Sequence, residues 1–252
     1  MRGTIVTIAL VFGGFVQPLA AAPGMAYTIT RRSGDVITQT FNVVASDDRL
    51  RVSYLNLPPG EGIMYDVLLR SAAGVTALNS RNSTWYPAPR SSPFALHRPC
   101  AIPYPTGKIK KLSVKIAPGP AVGGERTYSG EIRYDFVTNH LAHTLKIACL
   151  GTFTMTTTDR IDRKYWLGRI LPETGYGEVD AALRAAEEQI EGFPVRMSLQ
   201  RTQTYEGGAP MSDTDNVTAS EIREVEVDES ELKRPADYRL QKPAVALPGV
   251  MK

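Results

Sequence analysis

Two stretches near the middle of the chain decide the fold: residues 128–136 read YSGEIRYDF, and residues 145–155 read LKIACLGTFTM. In both, apolar or small residues alternate with polar ones, and Leu150 is the one misfit. A period of two places successive side chains on opposite faces of a β-strand. The two stretches therefore predict a long antiparallel hairpin with one dry and one wet face, and with its turn at residues 138–140.

Weaker alternation extends the predicted sheet in both directions along the chain. The further predicted strands are 26–32, 36–44, 49–56, 63–70, 74–79, 108–116, 194–205 and 216–228. In the last of these the apolar phase changes after Ala219, which predicts a β-bulge near Ser220 and Glu221. Strands in this number predict a wide sheet within one mainly β domain over residues 23–252.

Residues 178–191 have a different period and predict the one convincing helix. Acidic residues occupy the first turn, where the helix dipole favours them, and Gly192 follows as a stop signal. The apolar residues that fall on one helical stripe are Val179, Ala182, Leu183, Ala186 and Ile190.

The predicted sheet has one wide apolar face and a single helix to cover it. Wide sheets twist and curl. The sequence therefore predicts a mainly β fold, a curved open antiparallel sheet or half-barrel capped by a helix, whose concave side leaves room for an apolar ligand. A core filled by the protein's own side chains, or two packed sheets, fits the same pattern.

Residues 1–22 have the pattern of a secretory signal peptide. Arg2 precedes an uncharged apolar run over residues 4–16, and residues 20–22 are alanines that supply small side chains before a cut after Ala22. A membrane anchor is the alternative, but the apolar run is short for crossing about 30 Å of hydrocarbon. We expect cleavage and a periplasmic or secreted protein.

Export makes a disulfide between Cys100 and Cys149 feasible. In the chain-entropy model, closing a loop of about 50 residues restricts the unfolded chain by roughly 4 kcal/mol. Two buried free thiols are the alternative. Cys100 lies in residues 87–105, where six prolines predict an irregular loop.

Composition and motifs exclude several classes of protein. With 42% hydrophobic and 22% charged residues, the chain is neither disordered throughout nor a multi-span membrane protein. It has no serine nucleophile elbow and no phosphate-binding glycine loop. His140 with His143, and Asp159 with Asp162, are the nearest approaches to a metal or acid–base site, and turn positions explain both pairs. We expect no catalytic residue, no metal, no cofactor and no enzymatic activity.

Charge is segregated along the chain. Residues 90–146 hold nine Lys or Arg against three acids, and residues 213–237 hold nine acids against three bases. The basic region suits contact with anionic headgroups at a membrane surface. Alternatively, the two regions face each other across the sheet or solvate its outer face. Aromatic residues are sparse among the lysines, which argues against nucleic acid.

Several short motifs follow one another over about residues 143–240. They are Gly151-Thr152-Phe153, Tyr165-Trp166, the predicted helix, Gly192-Phe193-Pro194 and Pro235-Ala236-Asp237-Tyr238. Their order resembles the C-terminal half of the LolA/LolB lipoprotein carriers, and more closely that of uncharacterised exported families thought to share that fold. Asp237 stands where those families have glycine. The resemblance implies an open curved sheet with a helical lid and an apolar cavity, and it carries over no catalytic residue.

These observations predict an exported non-enzymatic binding protein that holds a lipid, an acyl chain or a lipidated partner such as a lipoprotein. The side chains expected to line its cavity are Ile132, Tyr134, Phe136, Leu145, Ile147, Phe153 and Met155. Burying one such side chain contributes about 1.5–3 kcal/mol, so several hold an acyl chain without any charge. The alternative is a structural or protein-interaction module of the cell envelope, with a filled core and an envelope protein as partner.

Overall fold

The computed structural model describes residues 21–56, 65–88, 107–140, 143–166, 170–171, 174 and 176–241. Within these ranges the chain forms twelve strands, the helix α1 (Gly177–Glu187), and two short 3-10 helices at Arg163–Tyr165 and Glu229–Leu232. The strands are β1 (Ala21–Ser33), β2 (Val36–Ser46), β3 (Arg49–Asn56), β4 (Val67–Ser71), β5 (Gly74–Asn79), β6 (Thr84–Ala88), β7 (Lys108–Val122), β8 (Glu125–His140), β9 (His143–Thr158), β10 (Phe193–Tyr205), β11 (Pro210–Asp228) and β12 (Arg239–Leu240).

The strands form one open curved sheet in the order β12-β6-β5-β4-β3-β2-β1-β11-β10-β9-β8-β7. All neighbouring strands run antiparallel except β12 and β6, which are parallel over two residue pairs. Pairing of β1 with β11 joins the two halves of the chain in the middle of the sheet. The predicted mainly β half-barrel with a helical cap is confirmed, with one short parallel pair at its edge.

The hairpin predicted near the middle of the chain forms from β8 and β9, whose pairing begins at Glu125 and Thr158. The face predicted to be dry carries the core, and we call it the concave face. Residues between the core positions lie on the opposite, convex face and are exposed or half-buried. The core residues from these two strands are Tyr128, Ile132, Tyr134, Phe136, Ile147, Cys149, Phe153 and Met155.

The turn of this hairpin lies later in the chain than the predicted residues 138–140. Thr138 still pairs with Leu145, and Asn139 still pairs with Thr144. Thr138 is buried, and a β-branched side chain fits a half-buried strand well, so the ladder continues through the segment that looked like a turn. The two remaining connecting residues lie outside the described ranges.

The predicted bulge in β11 is present. Ala26 pairs with Arg223 and Thr28 pairs with Ser220, so the single residue between them on β1 faces two residues of β11. Glu221 takes the left-handed conformation, with φ of 53°. This irregularity accounts for the change of apolar phase in the sequence.

The helix α1 is shorter than the predicted range 178–191. Beyond Glu187 the chain tightens: the N–H of Ile190 donates to the carbonyl of Glu187 at 3.0 Å, a spacing of three residues instead of four. Gly192 then takes a positive φ of 82° and turns the chain into β10. The apolar stripe faces the sheet, since its buried members are Val179, Leu183, Ala186 and Ile190.

The first residues of the proline-rich segment, predicted as an irregular loop over residues 87–105, belong to a strand. Pro87 belongs to β6 and pairs with Thr76. Because β12 pairs only with the first two residues of β6, Pro87 lies where β6 is a sheet edge and no N–H is needed. Residues 89–106 lie outside the described ranges.

The predicted signal peptide falls almost wholly outside the described residues, which begin at Ala21. A cut after Ala22 would remove only the first two residues of β1, which pair with Asp228 and Val227. No helix in the described ranges has both the length and the apolar character needed to cross a membrane.

The two oppositely charged regions do not face each other within the sheet. The acid-rich residues belong largely to β11, and three strands lie between it and β7. The basic side chains at the open sheet edge are Lys108, Lys110, Lys111 and Lys115 of β7. Lysines on an edge strand discourage pairing with another chain.

The convex face carries a small apolar cluster of its own near β12. Trp85 and Tyr238 pack against it, and the Arg234 guanidinium lies 4.4 Å from the centre of the Trp85 ring. The buried residues of this cluster are Val67, Leu69 and Leu78. The C-terminal segment therefore fastens the far end of the sheet from the convex side.

Gly130 offers a test of packing on the concave face. A Cβ at this position would overlap the Phe153 ring and lie 2.8 Å from the carbonyl oxygen of Lys115. We expect Gly130→Ala to lower the free energy of unfolding by about 1–3 kcal/mol, because backbone and core must shift. Urea denaturation measures the change. Gly177→Ala is the control, since its Cβ meets nothing within 4 Å, and equal losses in both variants would contradict this packing.

Candidate functional site

The seven side chains predicted to line a cavity all come from β8 and β9 and lie on the concave face. Six of them are at most 3% exposed, and Leu145 is half-buried. The ring of Tyr176, which precedes α1, contacts those of Phe136 and Tyr134, with centroids 5.0 and 6.4 Å apart. Protein side chains thus cover this part of the concave face.

The cover over the concave face consists of α1 and the chain before it. Its aromatic anchor is Trp166, which is 5% exposed. The Trp166 ring stacks on Tyr27 at 6.3 Å and meets Phe193 edge-on at 5.3 Å. The Tyr27 hydroxyl donates to the carbonyl of Tyr165 at 2.7 Å. These contacts attach the cover to the middle strands of the sheet.

A buried carboxylate ties the two parts of the cover together. Glu187, at the end of α1, accepts hydrogen bonds from the N–H groups of Ile170 at 2.9 Å and Leu171 at 3.3 Å. It also forms an ion pair with Arg163 at 3.0 Å, and Arg163 donates to the carbonyl of Ile190. Buried carboxylates are stable only when they are paired in this way. The sequence did not predict a role for Glu187, because this residue lies next to the apolar stripe of the helix and is not one of its apolar members.

A row of aromatic side chains continues the concave face beyond the strands next to α1. Phe41 contacts Tyr54, Tyr54 contacts Tyr65, and Tyr65 contacts Tyr86, with ring centroids 5.2, 5.8 and 6.1 Å apart. We call Tyr54, Tyr65 and Tyr86 the tyrosine row. All three pack against the core, yet each remains half-buried instead of buried. The row extends the aromatic surface of this face with rings that are only half-buried.

Two phenol groups of this row, those of Tyr54 and Tyr86, have raised pKa values. Burial raises the pKa of Tyr54 well above its usual range, and its neighbour Tyr65 raises it further. Burial, with a smaller effect from Tyr65, raises the pKa of Tyr86 to about 12. These two phenols are therefore neutral donors and acceptors at physiological pH, and the row presents apolar ring surface with polar tips.

A charged cluster interrupts the concave face where β11 meets β1. Asp215 is 1% exposed and receives guanidinium donors from Arg31 at 3.0 Å and from Arg201 at 2.8 Å. Arg201 also contacts Asp213. The sequence placed Asp215 among acids that solvate the surface, and the structure corrects this: its position opposite Leu199 faces inward.

The other residues that the sequence analysis considered for a disulfide, an acid–base pair or a metal site do not come together in one site within the described ranges. Cys149 is buried on the concave face, whereas Cys100 lies outside the described residues, so the disulfide stays a prediction. Asp162 caps a turn by accepting from the Lys164 N–H at 2.8 Å. The backbones of His140 and His143 pair across the hairpin. In the part of the chain that the structure describes, no three His, Cys, Asp or Glu side chains form a metal-ligand group.

Comparisons with protein-family models and with curated proteins give no match. Among solved structures, the chain is similar to a LolA superfamily protein from Nitrosomonas europaea. The similarity covers 86% of this chain and 91% of that one, at 7% sequence identity and a TM-score of 0.28. It assigns no role to any residue of this chain.

Glu187→Ala tests the tie within the cover. The variant removes the acceptor for two N–H groups and leaves Arg163 without its carboxylate. We expect the free energy of unfolding to fall by about 2–4 kcal/mol. Hydrogen exchange should also quicken first at residues 170–171. The exposed neighbour Glu188→Ala is the control and should change neither quantity. An unchanged exchange rate in Glu187→Ala would show that the tie is not what holds the cover.

The tyrosine row should appear in an alkaline titration. Because the folded pKa of Tyr86 is raised above its unfolded value, its contribution to stability is complete below pH 10 and is lost as pH rises towards about 12. Absorbance at 295 nm should show a late phase of ionisation to which Tyr54 and Tyr86 contribute. Tyr54→Phe and Tyr86→Phe should each remove part of this late phase. A titration in which all eleven tyrosines of the chain ionise together would contradict the prediction.

Proposed function

We propose that the protein is an exported, non-enzymatic binding protein whose concave face holds an acyl chain of a lipid or a lipidated partner. The observation that carries the proposal is the tyrosine row: large aromatic rings, packed against the core, remain half-buried on the concave face. Accessible apolar surface of this kind gains free energy when a ligand removes it from water, at roughly 25 cal/mol per Å².

The geometry gives the ligand a defined direction. An acyl chain lying on the tyrosine row would point towards Phe41 and Ile29. These two residues pair across β2 and β1, and both are buried. The phenol tips supply hydrogen-bond partners for an ester or carboxyl group, while the rings supply dispersion contacts. Neither feature requires a charged residue in contact with the chain.

The seven predicted lining residues take part in this proposal only when the cover moves. Displacement of α1 would expose Tyr134 and Phe136, which now contact Tyr176. The tie through Glu187 joins α1 to residues 170–171, so the two parts of the cover would move as one. Ligand entry would then begin at the tyrosine row and extend towards β8 and β9.

The proposal includes export of the protein. A cleaved signal peptide at residues 1–22 would deliver the chain to the periplasm or outside the cell, where the disulfide between Cys100 and Cys149 is chemically feasible. Contact of the β7 lysines with anionic headgroups would bring the protein to a membrane surface. The LolA superfamily likeness and the motif order fit this class of role.

A second candidate function follows from the close packing under α1. Six of the seven expected lining residues are at most 3% exposed, as in a core filled by the protein's own atoms. This observation favours a structural or protein-interaction module of the cell envelope. Such a module would present its convex face or its basic edge strand to a protein partner and would take up no lipid.

Lipid uptake separates the two candidates. The mature protein is delipidated, titrated with a fluorescent C16 fatty acid, and examined by native mass spectrometry. We expect one bound molecule, with an affinity that Tyr65→Asp weakens at least about tenfold, because a carboxylate on the concave face would lose its hydration beneath the ligand.

Tyr238→Asp is the matched control for this experiment, since Tyr238 has the same chemistry but packs on the convex cluster. It should leave fatty-acid affinity within about twofold of the unmodified protein. Circular dichroism confirms that both variants fold. If the folded protein takes up no fatty acid at any ratio, the binding proposal fails and the structural module is favoured.

A further inference from the structure

A cleft separate from the tyrosine row lies at the turns that join β2 to β3 and β4 to β5. It has a volume of about 770 Å³, which is within the range of small-molecule sites. Three segments wall it: the β2–β3 turn with the start of β3, the β4–β5 turn, and the chain around the first 3-10 helix. The residues that line it are Asp47, Asp48, Arg49, Leu50, Arg70, Ser71, Ala72, Arg163, Lys164 and Trp166.

Cations outnumber acids in this lining by four to two. Arg163 already forms an ion pair with Glu187. The ion pairs that Lys164 and Arg49 form with carboxylates are longer. Lys164 Nζ lies 3.8 Å from Asp47 Oδ1, and Arg49 Nη1 lies 3.8 Å from Glu229 Oε2 outside the cleft. At that separation neither pair is a hydrogen bond, and exposed ion pairs of this kind contribute little. Both cations therefore keep N–H donors for another acceptor.

The two carboxylates in the lining are exposed to solvent. The side chain of Asp47 is 75% exposed, and its backbone takes a left-handed turn conformation with φ of 49°. Asp48 is also exposed. Both residues belong to the turn between β2 and β3, where water hydrates them.

Trp166 supplies an independent observation. Its indole Nε1 is buried, and it is the one side-chain N or O atom in the described ranges that is both buried and without a hydrogen-bond partner. Leaving such a donor unsatisfied costs about 1–3 kcal/mol, so buried donors normally have an acceptor. Trp166 is 5% exposed and lines this cleft. An acceptor that reaches the Nε1 atom from the cleft would remove that cost.

We propose that this cleft binds a phosphate-type anion through Arg49 and Lys164, with the Trp166 indole N–H as a further donor. Guanidinium groups match the paired oxygens of a phosphate, and a lysine adds a point charge. The anion is either free phosphate or the headgroup of a phospholipid. The inference stands apart from the proposed function, because inorganic phosphate has no apolar part.

Trp166 provides the signal for the test. The chain has two tryptophans, so Trp85→Phe leaves Trp166 as the only indole. Inorganic phosphate is added to this protein at constant ionic strength while emission is recorded. We expect a saturable shift in emission, and we expect Lys164→Gln and Arg49→Gln each to weaken binding by about tenfold. Arg133→Gln, an exposed cation on the convex face of β8, is the matched control and should change affinity less than about twofold.

The source of the anion is resolved by two short-chain lipids kept below their micelle concentration. If dihexanoyl phosphatidylglycerol binds at least about tenfold more tightly than inorganic phosphate, the site takes a phospholipid headgroup. If the two bind alike, the site takes free phosphate. The proposal is overturned if no phosphate compound gives a saturable shift in the folded protein, or if Arg133→Gln weakens binding as much as Lys164→Gln does.

Discussion

The constraint on which this structure depends is the exclusion of water from the concave face of a twelve-stranded sheet. That face carries core residues from β1 to β11, and one eleven-residue helix cannot shield it alone. The chain before the helix completes the cover, and Trp166 packs between Tyr27 and Phe193. Burial of this apolar surface is the main favourable term in folding.

The cover itself is fastened by polar groups and not only by apolar contact. Glu187 binds the backbone of residues 170–171 and the side chain of Arg163. These bonds are directional, so they fix where the cover sits, whereas apolar packing alone would tolerate sliding. The buried ion pairs of Asp215 do the same for the sheet, because they join β1, β10 and β11 at one point.

Both candidate sites lie at margins of the covered region. The tyrosine row continues the core towards β6 and stays half-buried, and the cation-lined cleft lies beside Trp166 at the sheet end. Trp166 contacts the core through its ring and lines the cleft as well.

Periods of two and 3.6 residues are local, and they were enough to predict the described strands other than β6 and β12, the dry face of β8 and β9, the bulge at Glu221 and the helix. Contacts between distant residues account for what this periodicity cannot encode. Pairing of β1 with β11, the inward position of Asp215 and the tie through Glu187 join residues up to 207 positions apart. The sequence did not predict Tyr86 as a site residue either, because its strand contains a proline, and only the edge of a sheet tolerates a proline.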